Sequence, residues 1–235
     1  LVQMATTDKL TGALNRHAFF EMGNALYKKC FQLGKPVSLL FIDIDHFKLA
    51  NDQHGHEFGD AALTTFAGVF RECLRREDVS CRYGGEEFVL LLANADADAA
   101  LLVAHRISEN TRNIRFEEYP DFRLTISVGV SSMLPSAGSG LDLLIRCADS
   151  AMFRAKTAGR DQVMVGHLEE SAKNGEKPSC QLCFVPIKSS GSVDATEEVS
   201  YLIQDILLQV LDQMLELVYV VDTETYEILY INSAG

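Results

Sequence analysis

The sequence predicts an α/β (α+β) fold in which helices pack over a central mixed β-sheet. Short apolar runs typical of strands alternate with amphipathic segments at helical spacing, in the order α-β-α-β-β-α-β-α-β. Two of the strand-like runs are joined by Gly84-Gly85, which favours a β-hairpin and therefore antiparallel pairing. Because helical segments separate the other strands, we expect the sheet to be mixed.

Four helices are predicted from apolar residues spaced three or four positions apart. The first is expected to end at Gly34, with Pro36 close behind it. Near the end of the fourth, Lys156 and Arg160 lie four residues apart and are expected on one helical face. The apolar positions of the four helices lie within residues 10–33, 58–73, 97–114 and 141–155.

Five strands are predicted around these helices. The continuous apolar run Val37–Ile42 is typical of a buried central strand. Gly84-Gly85 predicts a tight primed turn in the hairpin, whose second strand begins at Phe88. Residues 122–130 alternate strictly between large apolar and polar or small residues, which predicts a strand buried on one face. The short run Val163–Val165 is the last strand of this part.

Composition limits the classes of partner. The 235 residues carry a formal net charge of −12 at pH 7, which disfavours binding to nucleic acid or to anionic lipid. No apolar run is long enough to span a bilayer and no signal peptide opens the sequence, so we expect no membrane contact. Four of the six cysteines lie singly in apolar patterns, which favours reduced thiols and a cytoplasmic location. Cys180 and Cys183 form a lone CxxC, which only weakly indicates a zinc or redox site.

The composition changes after residue 165. Residues 166–198 are rich in Gly, Ser, Lys, Glu and Pro and are predicted to be a linker, with a small apolar island that could add one strand. From Glu197 a seven-residue apolar rhythm favours either a short dimerising helix or a helix packed on the domain. Val218–Val221 and Ile228–Ile231 predict a final hairpin. We expect the chain to be a piece of a longer protein.

Two pairs of carboxylates are candidate metal ligands. Asp43 and Asp45 end the buried strand and share one side of it. Glu86 and Glu87 follow a glycine pair whose missing side chains leave room for a phosphate group. Hard oxygen ligands suit Mg²⁺ or Mn²⁺, which bridge to nucleotide phosphates. The alternative for each acid is an ordinary solvated surface position.

Several other kinds of active site are disfavoured by the sequence. It contains no GxxxxGK[ST] and no GxGxxG after a strand, which argues against a P-loop NTPase and a Rossmann dinucleotide site. It also contains no HExxH and no GxSxG, which argues against metalloproteases and serine hydrolases of those types. A nucleotide would therefore have to bind through a different arrangement.

The segment Gly84-Gly85-Glu86-Glu87-Phe88 resembles the signature of GGDEF domains, the diguanylate cyclases, with Glu86 in place of the first acid. Further motifs occur in the order and at the spacing of that family, so the resemblance covers roughly residues 4–165. The further motifs are Asp8-Lys9-Leu10-Thr11, Leu14-Asn15-Arg16, Phe41 to Lys48, Asn51-Asp52, Gly55-His56, Gly59-Asp60, Ala148-Asp149, Ala155-Lys156 and Gly159-Arg160.

The resemblance implies a nucleotidyl-cyclase or palm-like domain over residues 1–165 that condenses two GTP into cyclic di-GMP and releases pyrophosphate. It implies two Mg²⁺ or Mn²⁺ ions per active site and a homodimer in which each subunit holds one GTP. The implied metal ligands are Asp43, the carbonyl of Ile44 and Glu86, assisted by Glu87. The implied catalytic residues are Glu86, as proton acceptor, and Lys48. The implied GTP-binding residues are Asn51 and Asp60 for guanine, Lys156 and Arg160 for the β and γ phosphates, and Phe47, Gly84 and Gly85.

A second ligand site is implied by Arg75-Arg76-Glu77-Asp78, which resembles the RxxD inhibitory site of the family. Arg75 and Asp78, with Arg106 as a second arm, would bind cyclic di-GMP as an inhibitor; the alternative is an ordinary charged helix end. Two non-enzymatic functions stay open, a catalytically silent receptor for cyclic di-GMP and a GTP-binding regulatory module. Residues 199–235 resemble the beginning of a PAS sensor domain, too short to form a complete one.

Overall fold

Helices and strands alternate along the first two thirds of the chain. The computed structural model describes residues 6–166 and, further on, the backbone of residues 219–221 and 228–231. The helices are α1 (Arg16–Leu33), α2 (Phe47–His54), α3 (His56–Cys73), α4 (Ala97–Arg112) and α5 (Leu141–Thr157). The strands between them are β1 (Val37–Ile44), β2 (Val79–Arg82), β3 (Glu87–Ala93), β4 (Ile126–Met133) and β5 (Val163–Val165).

These strands form one mixed sheet in the order β2-β3-β1-β4-β5. The central strand β1 is buried at every position, as its apolar run predicts. It pairs antiparallel with β3 on one side and with β4 on the other, whereas β4 and β5 are parallel. The predicted central mixed sheet is therefore confirmed, and so is the antiparallel pairing of β2 with β3.

Side chains of β1 alternate between two hydrophobic cores. Leu40 and Ile42 point into the core formed with α3 and α4, and Leu39 and Phe41 into the core formed with α1 and α5. Burial of one such side chain contributes about 1.5–3 kcal/mol. The two cores therefore fix β1 between the helical layers and hold Asp43, near its end, in a defined position.

The prediction that residues 122–130 form a half-buried strand is wrong. The strand begins later, at Ile126, and its first six residues are buried on both faces. Helix α5 covers the second face, where Ser131 Oγ donates to the carbonyl of Leu144 at 2.8 Å. At Gly129 a Cβ atom would lie only 1.9 Å from the Ala148 carbonyl oxygen, so the small residues of this face allow α5 to approach closely.

One helix begins later than predicted, and one helix was not predicted at all. Helix α1 begins at Arg16 rather than residue 10, because Asn15 caps it by accepting from the amide of Ala18. It ends at Gly34 (φ 60°), as predicted. Helix α2 was not predicted, since its eight residues are mostly polar and too few to show a clear period. Gly55 (φ 86°) separates it from α3.

The chain divides into two units, Leu1–Cys183 and Phe184–Gly235. In the second unit, strands β6 (Tyr219–Val221) and β7 (Ile228–Ile231) pair antiparallel, which confirms the predicted final hairpin. The predicted helix after Glu197 lies outside the described residues, and the predicted boundaries at residues 165 and 198 stay a prediction. None of the helices that the structure describes is both long and apolar enough to cross a lipid bilayer.

Candidate active site

The predicted metal ligands meet where β1 ends beside β3. Asp43 stands directly opposite Glu87 in the register of the two strands. The amide of Ile44 donates to the carbonyl of Glu86 at 3.3 Å, which brings both predicted glutamates to the end of β1. Only 4% of Asp43 is exposed. The structure thus brings the backbone of all four predicted ligands together, where the end of β1 lies beside the hairpin loop and the start of β3.

The carboxylate of Asp43 already has a cationic partner. Lys156 Nζ lies 2.7 Å from Asp43 Oδ2. Burial raises the pKa of Asp43 to about 6, with smaller raising contributions from Glu86 and Glu87, although Lys156 opposes the shift. A buried carboxylate beside two further acids calls for positive charge, and its hard oxygens are the donors that Mg²⁺ or Mn²⁺ prefers. The donor set therefore fits a divalent cation.

In the described part of the chain these acids do not form a complete coordination shell for a metal ion. Within residues 6–166 and the two later strands, no three His, Cys, Asp or Glu side chains are grouped so as to hold an ion. Burial also raises the pKa of Glu87, helped by the negative charges of Asp149 and Glu86. Burial likewise raises the pKa of Asp149. Asp149 is thus a further acid of the site, whose only signal in the sequence was its place in a motif without an assigned role.

The hairpin loop differs from the predicted tight primed turn. The amide of Tyr83 donates to the carbonyl of Glu87 at 2.8 Å. Three residues, Gly84, Gly85 and Glu86, lie between these two. Neither glycine has positive φ, which a two-residue primed turn requires of Gly. A Cβ atom at Gly84 would lie 2.4 Å from Glu87 Oε2. A side chain at residue 84 would therefore displace the Glu87 carboxylate from this position.

The predicted guanine-binding residues lie on α2 and α3. Asn51 Oδ1 is buried and has no hydrogen-bond partner. A Cβ atom at Gly59 would lie 1.9 Å from that oxygen, so Gly59 creates the space that the amide occupies. Asp60, the next residue, is exposed on α3. An unpaired amide beside an exposed carboxylate can recognise a base edge that presents N–H donors. Phe47, buried, and Lys48, exposed, open α2 directly after β1.

Lys156 and Arg160 do not share a helical face, so that prediction is wrong. Helix α5 ends at Thr157, and Arg160 lies beyond Gly159 in a left-handed turn, with φ values of 65° and 116° respectively. Glycine tolerates such a backbone conformation, which ends the helix. Lys156 points to Asp43, while the Arg160 side chain is exposed on the loop that follows.

Asp45 holds that loop in place. Its carboxylate accepts hydrogen bonds from Thr125 Oγ1 at 2.9 Å, Ser127 Oγ at 2.7 Å and the amide of Asp161 at 3.0 Å. The Asp161 carboxylate in turn accepts from Arg112 Nε at 2.8 Å. Of the two aspartates that end β1, Asp45 is therefore engaged in anchoring the loop of Arg160, and Asp43 faces the glutamates.

The predicted inhibitory residues lie at the turn after α3. A shallow pocket of about 310 Å³ is present there. Asp78 Oδ2 accepts from the amide of Arg75 at 2.9 Å, and its Oδ1 accepts from the amide of Ala93 at 3.0 Å. Arg106 Nη2 donates to the carbonyl of Cys73 at 2.6 Å, which places it near this turn but not in the pocket wall. The pocket, called the arginine pocket below, is lined by Phe70, Arg71, Leu74, Arg75, Arg76, Asp78 and Ser80.

Curated relatives match the same part of the chain. The chain is 35% identical over 162 residues to the probable diguanylate cyclase DgcC of Escherichia coli K12, covering 69% of this chain and 43% of that protein. It is 38% identical over 168 residues to the response regulator PleD of Caulobacter vibrioides, covering 69% of this chain and 36% of that protein. The chain thus spans less than half the length of these relatives.

Solved structures share the fold. The GGDEF domain of DgcB from Caulobacter crescentus, solved with c-di-GMP, has a TM-score of 0.64 at 27% identity, covering 70% of this chain and 98% of that one. The active GGEEF domain of a diguanylate cyclase from Vibrio cholerae has a TM-score of 0.61 at 31% identity, covering 65% and 97%. The predicted palm-like α+β class is thereby confirmed.

A family model described as diguanylate cyclase, GGDEF domain, matches residues 5–162. The match includes every predicted site residue. These comparisons do not support the resemblance of residues 199–235 to a PAS domain. The buried Asp43, the Glu86-Glu87 hairpin and the family model agree on one conclusion: the chain belongs to the GGDEF family of diguanylate cyclase domains.

Proposed function

We propose that this domain condenses two molecules of GTP into cyclic di-GMP and releases two molecules of pyrophosphate. The observation that carries the proposal is the placement of Asp43 opposite Glu87, with Lys156 Nζ 2.7 Å from its carboxylate. The acidic groups at this strand end would hold metal ions, and Lys156 would contact the phosphates. The negative charge of a bound triphosphate would then be balanced by the metal ions and by the lysine. The diguanylate cyclases among the relatives, and the c-di-GMP bound to the DgcB domain, support the same substrate and product.

Two Mg²⁺ or Mn²⁺ ions would be held by Asp43, the carbonyl of Ile44, Glu86 and Glu87. When bound, such ions stabilise charge on the attacking and leaving oxygens of phosphoryl transfer. Lys156 Nζ contacts the Asp43 carboxylate and is the group that would turn to the phosphates. Burial of Asp43 keeps competing water away from this exchange.

Guanine would bind to residues of α2 and α3, and the phosphates to residues at the end of α5 and in the loop after it. Asn51 and Asp60 would bind guanine, and the unpaired Asn51 Oδ1 would accept one of its N–H groups. Lys48 and the further predicted residues Phe47, Gly84 and Gly85 would contact the sugar and phosphates. Arg160, on the loop that Asp45 anchors, would hold the far phosphates together with Lys156.

The reaction requires two copies of the domain, since one GTP bound on each must meet the other. The 3′-hydroxyl oxygen of one GTP forms a bond to the α-phosphorus of the second, and the bond to pyrophosphate breaks. The hydroxyl proton passes to Glu86 and from there to water. The same step, with the roles of the nucleotides exchanged, closes the ring. We also infer a cytoplasmic location for this chemistry, because its substrate is GTP.

The arginine pocket would bind the product. Three arginines line it, and guanidinium groups recognise phosphate and guanine edges with paired hydrogen bonds. Arg106 would close over the ligand from α4, where its side chain now bonds the Cys73 carbonyl. Product inhibition that is relieved by Arg75→Ala, with initial rates unchanged, would support this site.

The activity is tested by incubating the purified chain with GTP and Mg²⁺ over a wide range of protein concentrations and separating the nucleotides by chromatography. We expect cyclic di-GMP whose formation rises more steeply than linearly with protein concentration, because two copies must meet. Glu86→Gln should abolish it, while Glu109→Gln, on the exposed face of α4, should not. Tight binding of cyclic di-GMP without any synthesis would refute the enzyme and favour a receptor; GTP binding alone would favour a regulatory module.

A further inference from the structure

The two helices that carry the proposed guanine ligands meet at a single glycine. Asn51 lies in the last turn of α2, Asp60 lies near the start of α3, and Gly55 separates the two helices. Gly55 has a φ of 86°, and a Cβ atom built on it would meet nothing within 4 Å. The junction itself is therefore open, and the angle between α2 and α3 depends on contacts made by residues on either side of it.

The position of Asp60 is sensitive to that angle. Asp60 lies five residues beyond Gly55, which corresponds to about 7.5 Å along the helix axis. A rotation of α3 by about 10° at Gly55 would therefore move Asp60 by about 1.3 Å relative to Asn51. Because a hydrogen bond is effective over a range of only about 0.5 Å, such a rotation would break the contacts to a base held by both residues.

A cluster of aromatic rings joins the two helices to the loop before β4. His54, the last residue of α2, and Phe58, in the first turn of α3, contact each other edge-on with ring centroids 5.0 Å apart. Both contact Tyr119, at 4.3 and 4.8 Å respectively, and both contact Phe122, at 5.7 and 4.9 Å. Phe116 adds a further ring contact with Phe58, at 5.0 Å. We name these five rings the aromatic clamp.

The loop that supplies three of the five rings is closed by its own hydrogen bonds. The amide of Tyr119 donates to the carbonyl of Phe116 at 3.1 Å, and the amide of Phe122 donates to the carbonyl of Tyr119 at 3.0 Å. Leu124, which follows, is buried in the core formed with α3 and α4. The loop is therefore a fixed support, and the edge-on ring contacts hold α2 and α3 against it in one relative orientation.

We propose that the aromatic clamp sets the angle between α2 and α3 and thereby makes the site selective for guanine. His54 and Tyr119 are positioning residues, because they act through Asn51 and Asp60. Guanine presents two neighbouring donors, N1–H and the 2-amino group, to the two acceptors. Hypoxanthine lacks the 2-amino group and leaves one acceptor unpaired, which costs most when both acceptors are held in place. This inference rests on the guanine site proposed above.

The test compares two nucleotides that differ in that one group. Both 3′-deoxy-GTP and 3′-deoxy-ITP lack the attacking hydroxyl, so the chain cannot condense them, and their affinities are measured by calorimetry with Mg²⁺. In the native chain we expect the guanine nucleotide to bind at least about tenfold more tightly, the cost of one unpaired acceptor. In Tyr119→Ala this preference should fall below about threefold, less than half of that free energy, mainly through weaker binding of the guanine nucleotide. Tyr119→Phe keeps the ring and should keep the native preference.

The matched control is Phe31→Ala. Phe31 is an exposed ring on α1, which packs on the other face of the sheet from α3, so its loss should leave the preference unchanged. If Tyr119→Ala does not fold, as judged by circular dichroism, His54→Ala replaces it with the same expectation, because His54 is only half-buried. A native preference in the folded variant, or an equal loss of affinity for both nucleotides, overturns the clamp and leaves the proposed function intact. Absence of nucleotide binding, or of any preference in the native chain, overturns the proposed guanine site and the clamp together.

Discussion

Asp43→Asn is expected to stabilise the metal-free domain at neutral pH. Burial raises the pKa of Asp43 from 3.8 to about 6, so ionising this group costs more in the folded chain than in the unfolded one. Each pKa unit corresponds to about 1.4 kcal/mol, which gives about 3 kcal/mol in all. Because the folded-state pKa is the higher one, this stability is present below pH 3.8 and is lost as the pH rises through about 6.

The amide that this substitution introduces would avoid that loss and could still accept a hydrogen bond from Lys156. Thermal unfolding followed by circular dichroism in EDTA should show a difference of only about 1 kcal/mol between Asp43→Asn and the native chain at pH 4.5, because most of the loss occurs at higher pH. At pH 7.5 the variant should melt roughly 6–12 °C higher, at about 2–4 °C per kcal/mol for a domain of this size. Added Mg²⁺ should raise the midpoint of the native chain but not of the variant.

Asp45→Asn is the matched control, because Asp45 is also buried, with 6% exposed, and lies two residues away. Its carboxylate accepts three hydrogen bonds, so an amide there would set N–H against a donor and should lower the midpoint at both pH values. A native-like or lower midpoint for Asp43→Asn at pH 7.5 would refute the reasoning. It would show that the acidic site imposes no cost on the fold.

Three further substitutions test the packing and the substrate contacts. Gly129→Ala places a Cβ atom 1.9 Å from the carbonyl oxygen of Ala148 and should destabilise the chain by about 3 kcal/mol or more, as measured by urea unfolding. In the control Gly68→Ala the new Cβ atom has nothing within 4 Å, so this substitution should be neutral or stabilising. Gly59→Ala should displace the Asn51 amide and raise the KM for GTP at least about tenfold in initial-rate assays; an unchanged KM would contradict the guanine assignment. Lys156→Gln should weaken binding of a fluorescent GTP analogue about 10- to 100-fold, the cost of a charge-assisted bond, and equal affinity would exclude the phosphate role.

Elements with a long, clear hydrophobic period could be predicted from the sequence. α1, α3, α4 and α5 are of this kind, whereas β1 was predicted from its continuous apolar run and the β2–β3 pairing from its glycines. The error at β4 has a physical cause, because Ser127 is polar for its bond to Asp45 and Gly129 is small for the approach of α5, and neither residue faces water. A local pattern cannot distinguish these two reasons for a small residue.

The site was predictable as a set of residues but not in its internal roles. Asp43 and Asp45 look equivalent in the sequence, and their difference comes from hydroxyl donors about eighty residues away at Thr125 and Ser127. Arg160 was assigned to a helix because its spacing from Lys156 fits one, and Gly159 ends that helix first. The roles of the two aspartates thus depend on long-range hydrogen bonds, and the position of Arg160 depends on the backbone conformation at Gly159.

The outer strands of the sheet bear on how two copies can approach each other. β5 has only three residues, and β2 has four, with Leu14 paired alongside it at Cys81. Short or covered edges offer few free N–H and C=O groups to a strand of another molecule. The meeting of two copies that is proposed above would therefore not be accompanied by pairing of their sheets through these edges.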